Sequence, residues 1–241
     1  MAREKAALIT GASSGIGLAI ARVLGEEGHA LTVSARRAEK LEAAADELRG
    51  EGHEVLSVPA NMTDEEEVVA VFAKHREAYG RLDVLVNNAG VGIGEPVDGL
   101  TTKKVDLQLQ TNLRSVFLFY RECTPMLREA GAEHRNALVV NMASIAGKSG
   151  QPWLSVYGAT KAAILNFSQA MDKEMAKDGV KSTALCPAFV DTAMTDFVKG
   201  EVPAEKMITT NDVAEGVRFL LRLSPNCIVP EITFARPDEG L

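Results

Sequence analysis

Short apolar runs alternate along nearly the whole chain with long stretches in which apolar residues recur every three or four positions. Ala6-Ala7-Leu8-Ile9-Thr10 reads as a buried strand. Ile16, Ile20, Val23 and Leu24 then mark one face of a helix that Gly28 would stop. Leu31 to Ser34 is a second strand, followed by a charged helix from about Ala38 to Arg49. Val55 to Val58 gives a third strand closed by Pro59, Asp64 to Tyr79 a helix, and Val84 to Asn87 a fourth strand. One unusually long helix follows, from about Thr102 to Glu129. Ala137 to Met142, a helix over Ser155 to Lys177, and Lys181 to Cys186 repeat the alternation. Thr209 and Asp212 form a capping box for a helix ending at Leu221, and Ile228 to Ala235 supplies a last strand. Strands this apolar, each separated by a helix, predict a parallel sheet covered on both faces. Right-handed crossovers make it an α/β, doubly wound fold of about seven strands, with its ligand crevice at the strand C-terminal ends. No repeat or linker interrupts the pattern, so residues 1–241 are expected to form one domain.

Composition narrows the function classes. A net charge of −7 argues against a general nucleic-acid binder, which needs a basic face to neutralise phosphates. No apolar run reaches the roughly 18 residues of a membrane helix, and the polar N-terminal stretch leads into a strand without a signal-peptide pattern. Cys123, Cys186 and Cys227 are odd in number and far apart, which suits a reducing cytoplasm. His29, His53, His75 and His134 show no zinc-ligand spacing; they read as surface or loop histidines, and no metal is expected.

After the first strand comes Thr10-Gly11-Ala12-Ser13-Ser14-Gly15-Ile16-Gly17, opening directly into a helix. A turn tight enough to need glycine, with a helix N-terminus aimed outward, is what a pyrophosphate requires. The Gly-x-x-x-Gly-x-Gly spacing resembles that of the short-chain dehydrogenase/reductase family. The resemblance recurs in Asn87-Asn88-Ala89-Gly90 after the fourth strand, Asn112 in the long helix, Ser144 after the fifth strand, and Tyr157-x-x-x-Lys161. It spans residues 8 to 192 and implies a nicotinamide dinucleotide held by Gly11, Ser13, Ser14, Gly15, Ile16 and Gly17, with Asn88, Ala89 and Gly90 lining the adenosine side. Asn87 reads as a tie between neighbouring strands.

The second strand ends in Ala35-Arg36-Arg37, where NAD-preferring folds place an acidic residue for the adenosine ribose. Without that carboxylate nothing repels a 2′-phosphate, and a guanidinium can bind one bidentately, so NADP(H) is the expected cofactor. The alternative is that Arg36 and Arg37 are solvated residues at a helix start, a position that the helix dipole disfavours. Beside the adenine the family carries an Asp; this chain has Asn61, followed by Met62, and an amide can still accept from the adenine amino group. Pro187, Val190 and Thr192 match residues near the nicotinamide, with Ala188 replacing the family's usual glycine.

Tyr157 and Lys161 sit four apart on a predicted helix and share a face. Reducing a carbonyl requires a proton for the developing alkoxide, and a phenol can give it. In the reverse direction a nearby ammonium, together with the oxidised nicotinamide, would lower the phenol pKa from its ordinary value of about 10. By the same resemblance Ser144 orients the substrate oxygen, Asn112 holds a water that relays protons to the lysine, and Lys161 bonds the nicotinamide ribose. Taken singly, Ser144 could be a helix cap, Asn112 a polar helix residue and Tyr157 a core aromatic.

Residues 193–208 are expected to form a short lid carrying Met194 and Phe197, facing Ile93, Gln151 and Trp153. An apolar pocket follows, with Ser144 as its polar anchor, suited to aromatic or medium-chain ketones; the bland account is that Trp153 and Phe197 only pack the lid shut. The function expected is interconversion of a ketone or aldehyde and an alcohol. A 3-oxoacyl carrier-protein reductase and a β-hydroxy-acid dehydrogenase are the alternatives. Carrier-protein reductases tend to have an arginine where Thr124 precedes Pro125-Met126, although Lys173 matches their second basic residue. A regulatory protein that only senses NADP is disfavoured because Ser144, Tyr157 and Lys161 are all present. A homo-oligomer, dimer or tetramer, is expected from helices longer than the sheet needs and from Val116, Leu118, Phe119 and Phe167, more apolar surface than one buried face would hold. The ending Arg236-Pro237-Asp238-Glu239 differs from the glycine-rich tail of tetrameric relatives.

Overall fold

The computed structural model describes residues 5–237, so part of the Arg236–Glu239 ending lies outside the described residues. Seven parallel strands form one sheet: β1 (Lys5–Thr10), β2 (His29–Ala35), β3 (Val55–Pro59), β4 (Val84–Asn87), β5 (Ala137–Met142), β6 (Val180–Pro187) and β7 (Glu231–Phe234), in the spatial order 3-2-1-4-5-6-7. The order reverses direction between β1 and β4. In a doubly wound sheet that is where the chain leaves a crevice at the strand C-terminal ends.

Alternation along each strand divides two cores. Ala7 and Ile9 of β1 face α1 (Gly15–Glu26), α2 (Ala38–Gly50) and α7 (Thr210–Leu221). Leu8 faces the opposite layer, made by α3 (Glu65–Tyr79), α5 (Ser115–His134) and α6 (Ser155–Met175). Both faces being covered is why the central strands are apolar throughout rather than at every second position. Helix starts follow the sequence chemistry: Asp64 caps α3, and Thr209 with Asp212 forms the capping box of α7.

The long predicted helix is present, but α4 (Thr102–Leu109) and α5 are joined by a single wide π turn at Gln110–Arg114, and α5 runs on to His134. The last strand is shorter than expected, beginning at Glu231. Two histidines are not on the surface. His75 is fully buried on α3, where Nδ1 accepts from the Thr32 hydroxyl and Nε2 donates to the Arg81 carbonyl, each at 2.8 Å. Those partners satisfy a neutral ring, and burial pushes its pKa down to about 4. His29 is likewise buried, with Nδ1 against the Leu24 carbonyl. The apolar surplus on α5 is also mostly internal: Val116, Leu118 and Phe119 pack into the chain's own core. Phe117 is the residue left exposed, its ring 4.6 Å from that of Phe167. No helix among the described residues is long and apolar enough to cross a membrane.

Candidate active site

The turn between β1 and α1 is shaped by residues that leave no room for side chains. Gly11 has φ +69°, and a Cβ at Gly17 would fall 2.4 Å from the Gly11 carbonyl oxygen. Asn88 fastens the turn from β4, donating to the Thr10 and Gly11 carbonyls at 2.9 and 3.1 Å. The Thr10 hydroxyl accepts from the backbone N–H groups of Asn88 and Ala89. Ser14, at the start of α1, makes no side-chain cap bond, and the first turn holds no acidic residue. The unpaired N–H groups at the helix start and its positive dipole end therefore face the crevice, and a phosphate suits them. Arg36 and Arg37 stand exposed where β2 ends, and among the described residues neither forms an ion pair. The residues present thus fit a dinucleotide carrying an additional phosphate. Asn61 lies beyond β3, its side-chain oxygen accepting from Thr63 N–H at 3.3 Å, and Met62 beside it is buried.

Across the crevice, the extended segment after Gly90 is held against α4 and the π turn by two amide side chains. Asn112 accepts from Val91 N–H at 2.8 Å and donates to the Val91 carbonyl at 2.9 Å and to the Thr160 hydroxyl at 3.1 Å. Gln108, four residues earlier and fully buried, accepts from Ile93 N–H at 3.2 Å. These bonds fix the backbone of the segment, in which Gly92 lies against the Tyr157 ring and Gly94 against the Trp153 ring.

Ser144 lies just past β5, where its hydroxyl accepts from Ala146 N–H at 3.2 Å and stands close enough to the Tyr157 phenol to lower its pKa. The cap reading of Ser144 therefore has a geometric basis, and its position beside Tyr157 is compatible with the catalytic one. Lys161 is buried one turn along α6, its Nζ donating to the Met142 carbonyl at 2.6 Å and standing 5.6 Å from the centre of the Tyr157 ring. Burial pulls the lysine pKa down to about 8. The same burial pushes the Tyr157 phenol up, and the Ser144 hydroxyl pulls part of the way back. The expected depression belongs to the complex with the oxidised nicotinamide, whose ring adds a second positive charge. In the protein alone desolvation governs the phenol and favours its protonated form.

From buried Pro187 at the end of β6 the chain runs through buried Val190 to Thr192, whose methyl group would lie 3.2 Å from a Cβ at Gly15. Thr192 opens a short 3-10 helix, Ala193–Val198, that carries Met194 and Phe197 over the cleft. Met194 Sδ and the Tyr157 ring both lie within 3.8 Å of where a Gly92 Cβ would stand. Phe197 meets Trp153 edge to face, centroids 5.5 Å apart. Gln151 is exposed at the rim, and Ile93 is partly buried. Gln108, Thr160 and Gly94 are additions that sequence reading missed. Gln108 was reachable, since it lies one helical turn before Asn112 on the same face.

Residues 5–202 match the family model described as short chain dehydrogenase. The chain is 35% identical over 231 residues to the 3-oxoacyl-[acyl-carrier-protein] reductase of Staphylococcus aureus, the match covering 91% of this chain and 92% of that one. It is similar to the alcohol dehydrogenase of the archaeon Thermococcus sibiricus complexed with 5-hydroxy-NADP, with 31% identity, a TM-score of 0.88 and 98% of each chain covered. A similar structure, a variant of actinorhodin polyketide ketoreductase with NADPH, gives 32% identity, a TM-score of 0.86 and 95% of each chain covered.

Proposed function

The chain belongs to the short-chain dehydrogenase family, and we propose that within it the protein is an NADP(H)-dependent oxidoreductase interconverting a ketone or aldehyde and an alcohol. The observation that carries this reading is the grouping of Ser144, Tyr157 and the buried Lys161 ammonium, 5.6 Å from the Tyr157 ring, at the same sheet edge as the glycine turn. The turn from Gly11 to Gly17 would hold the pyrophosphate, Arg36 with Arg37 the 2′-phosphate, Asn61 and Met62 the adenine, and Val190 and Thr192 the nicotinamide end. When bound, the nicotinamide supplies or takes the hydride.

In reduction Tyr157 gives its phenolic proton to the substrate oxygen, which the Ser144 hydroxyl orients and stabilises. Lys161 places positive charge beside the phenolate this leaves. Asn112 keeps the Val91 segment in place and, with Thr160, leads from the cleft toward the lysine. The segment 193–208 closes over the acceptor, giving a mouth of Ile93, Trp153, Met194 and Phe197 that favours apolar ketones over small charged keto acids. Replacing Tyr157 with Phe tests the assignment. Turnover should fall about 10²- to 10⁴-fold with NADPH affinity within a few-fold, and a variant retaining a tenth of wild-type activity would refute it.

A second reading, reduction of a 3-oxoacyl thioester on a carrier protein, is favoured by the 35% identity to the S. aureus enzyme. Against it, Thr124 directs its hydroxyl to the Tyr120 carbonyl of its own helix and presents no cation. Comparing a 3-oxoacyl carrier protein with the free ketone of equal chain length separates the two readings. The protein is also expected to pair through the exposed Phe117 face, and its three unpaired cysteines suit a reducing cytoplasm.

A further inference from the structure

Trp153 occupies a position whose geometry is unusual for a residue of its size. Its backbone is left-handed, with φ +51°, a conformation that bulky side chains adopt only when their surroundings impose it. The surroundings are visible on both sides. A Cβ at Gly94 would fall 2.1 Å from Trp153 Cε3 and 2.2 Å from Cζ3, so the six-membered part of the indole lies directly on the Gly94 backbone. The Trp153 carbonyl accepts from Glu95 N–H at 2.6 Å, and the Glu95 carboxylate pairs with Lys104 on α4. Gln108 fixes the intervening Ile93 N–H. The indole is thus mounted on a segment that is itself tied to α4 at two points, through Lys104 and Gln108.

The other side of the indole meets the lid. Phe197 touches it edge to face, yet both rings keep much of their surface open, Trp153 at 46% and Phe197 at 59%. Two large aromatic side chains left this exposed above the half-buried Tyr157 mark a surface that a ligand covers. Gly92 faces the Tyr157 ring, and Gly94, two residues on, faces Trp153. Two residues of extended chain span at most about 7 Å, so the platform stands within a few bonds' length of the reacting carbonyl.

We infer that Trp153, seated on Gly94, is the residue that determines specificity for ketones bearing an aromatic ring a few bonds from the carbonyl, the ring taking the place of Phe197 against the indole as substrate enters. The inference rests on the reductase reading and names its substrate class. An aliphatic chain entering the same mouth separates Phe197 from Trp153 and restores no aromatic contact. An aryl group restores one, a difference of about three- to tenfold in affinity.

Two ketones with ten carbons each, 4-phenyl-2-butanone and 2-decanone, isolate the effect. The wild-type protein should reduce the aryl ketone with a KM about three- to tenfold lower. Gly94→Ala, which pushes the indole off its seat, and Trp153→Leu, which removes it, should abolish that gap while leaving the KM for NADPH within twofold. Trp153 is the single tryptophan of the chain, so its emission reports the contact without turnover. With NADP+ present, which cannot reduce a ketone, saturating 4-phenyl-2-butanone should shift the emission of the wild type but not of Gly94→Ala, and 2-decanone should shift neither. A preference that survives in both variants, or an emission indifferent to the aryl ketone, overturns the inference. An emission shift without NADPH-dependent reduction of either ketone leaves the platform standing and removes the reductase reading. Reduction without aryl preference does the reverse, and the loss of both signals removes both.

Discussion

Replacing Lys161 with Met should abolish catalysis and stabilise the protein at neutral pH. The ammonium is buried on α6, and its hydrogen bond goes to a neutral acceptor, the Met142 carbonyl. The neighbouring Cys186 thiol is pushed up to about 12 and so carries no charge to offset it at neutral pH. The folded chain therefore binds this proton more weakly than the unfolded chain does, near 8 against 10.5. At about 1.4 kcal/mol per pH unit that gap is about 3 kcal/mol. The penalty is complete below pH 8, fades as pH rises toward 10.5, and is absent above it. Methionine fills similar volume without charge, at the loss of one hydrogen bond contributing about 1–2 kcal/mol. The expected net gain at pH 7 is about 1–2 kcal/mol, a rise in Tm of roughly 2–8 °C for a chain of this length. Thermal unfolding followed by circular dichroism at pH 7 and pH 10 measures it, with NADPH oxidation assayed alongside. The gain should vanish at pH 10. A variant that melts lower than wild type at pH 7, or one whose gain is equal at both pH values, would show that Lys161 is not held at an electrostatic cost.

Arg36→Ala should weaken NADPH binding about ten- to a hundred-fold and leave NADH unchanged; equal weakening of both in binding titrations would assign Arg36 a structural role instead. His75, neutral when folded with a pKa near 4, favours the native state fully above pH 6.5. Its contribution, about 3 kcal/mol, should disappear as pH falls from 6.5 to 4, so urea unfolding should show a shallower pH dependence for His75→Gln across that window. Light scattering at micromolar concentration should give a dimer or larger assembly, and Phe117→Glu, on an already exposed position, should yield monomer; a wild-type monomer would remove the pairing proposal.

Most of the sheet was legible because its code is local. Each strand is a short apolar run bounded by helix signals, and the parallel architecture follows from both faces being buried. The glycine turn was legible for the same reason: its residues are contiguous, and the helix start that a phosphate needs lies in the same segment. What the sequence hid were balances between positions. Val116, Leu118 and Phe119 looked like surplus surface because helical spacing counts faces without knowing which neighbouring layers cover them. His75 looked like a surface residue because nothing adjacent in sequence announces Thr32 and the Arg81 carbonyl, the two partners that make its burial tolerable.

The catalytic group illustrates the limit more sharply. Spacing placed Tyr157 and Lys161 on one face, and the structure keeps them together, yet the upward shift of Tyr157 in the protein alone was not readable from that pairing. Whether an ammonium or desolvation governs a phenol depends on how deeply both groups sit, and depth is a property of the layers around α6 rather than of the four-residue interval. At the mouth the gap is wider still. Trp153 and Phe197 were identifiable as apolar residues near the cleft, but Gly94 carries no side chain to attract notice, and its importance is the space it leaves. Only the left-handed backbone at Trp153 and the contact across a long sequence separation reveal that space as a seat. The residues proposed to donate and accept are therefore written in motifs, whereas those proposed to select the substrate are written in packing, where the absent Cβ of Gly94 leaves room for the indole.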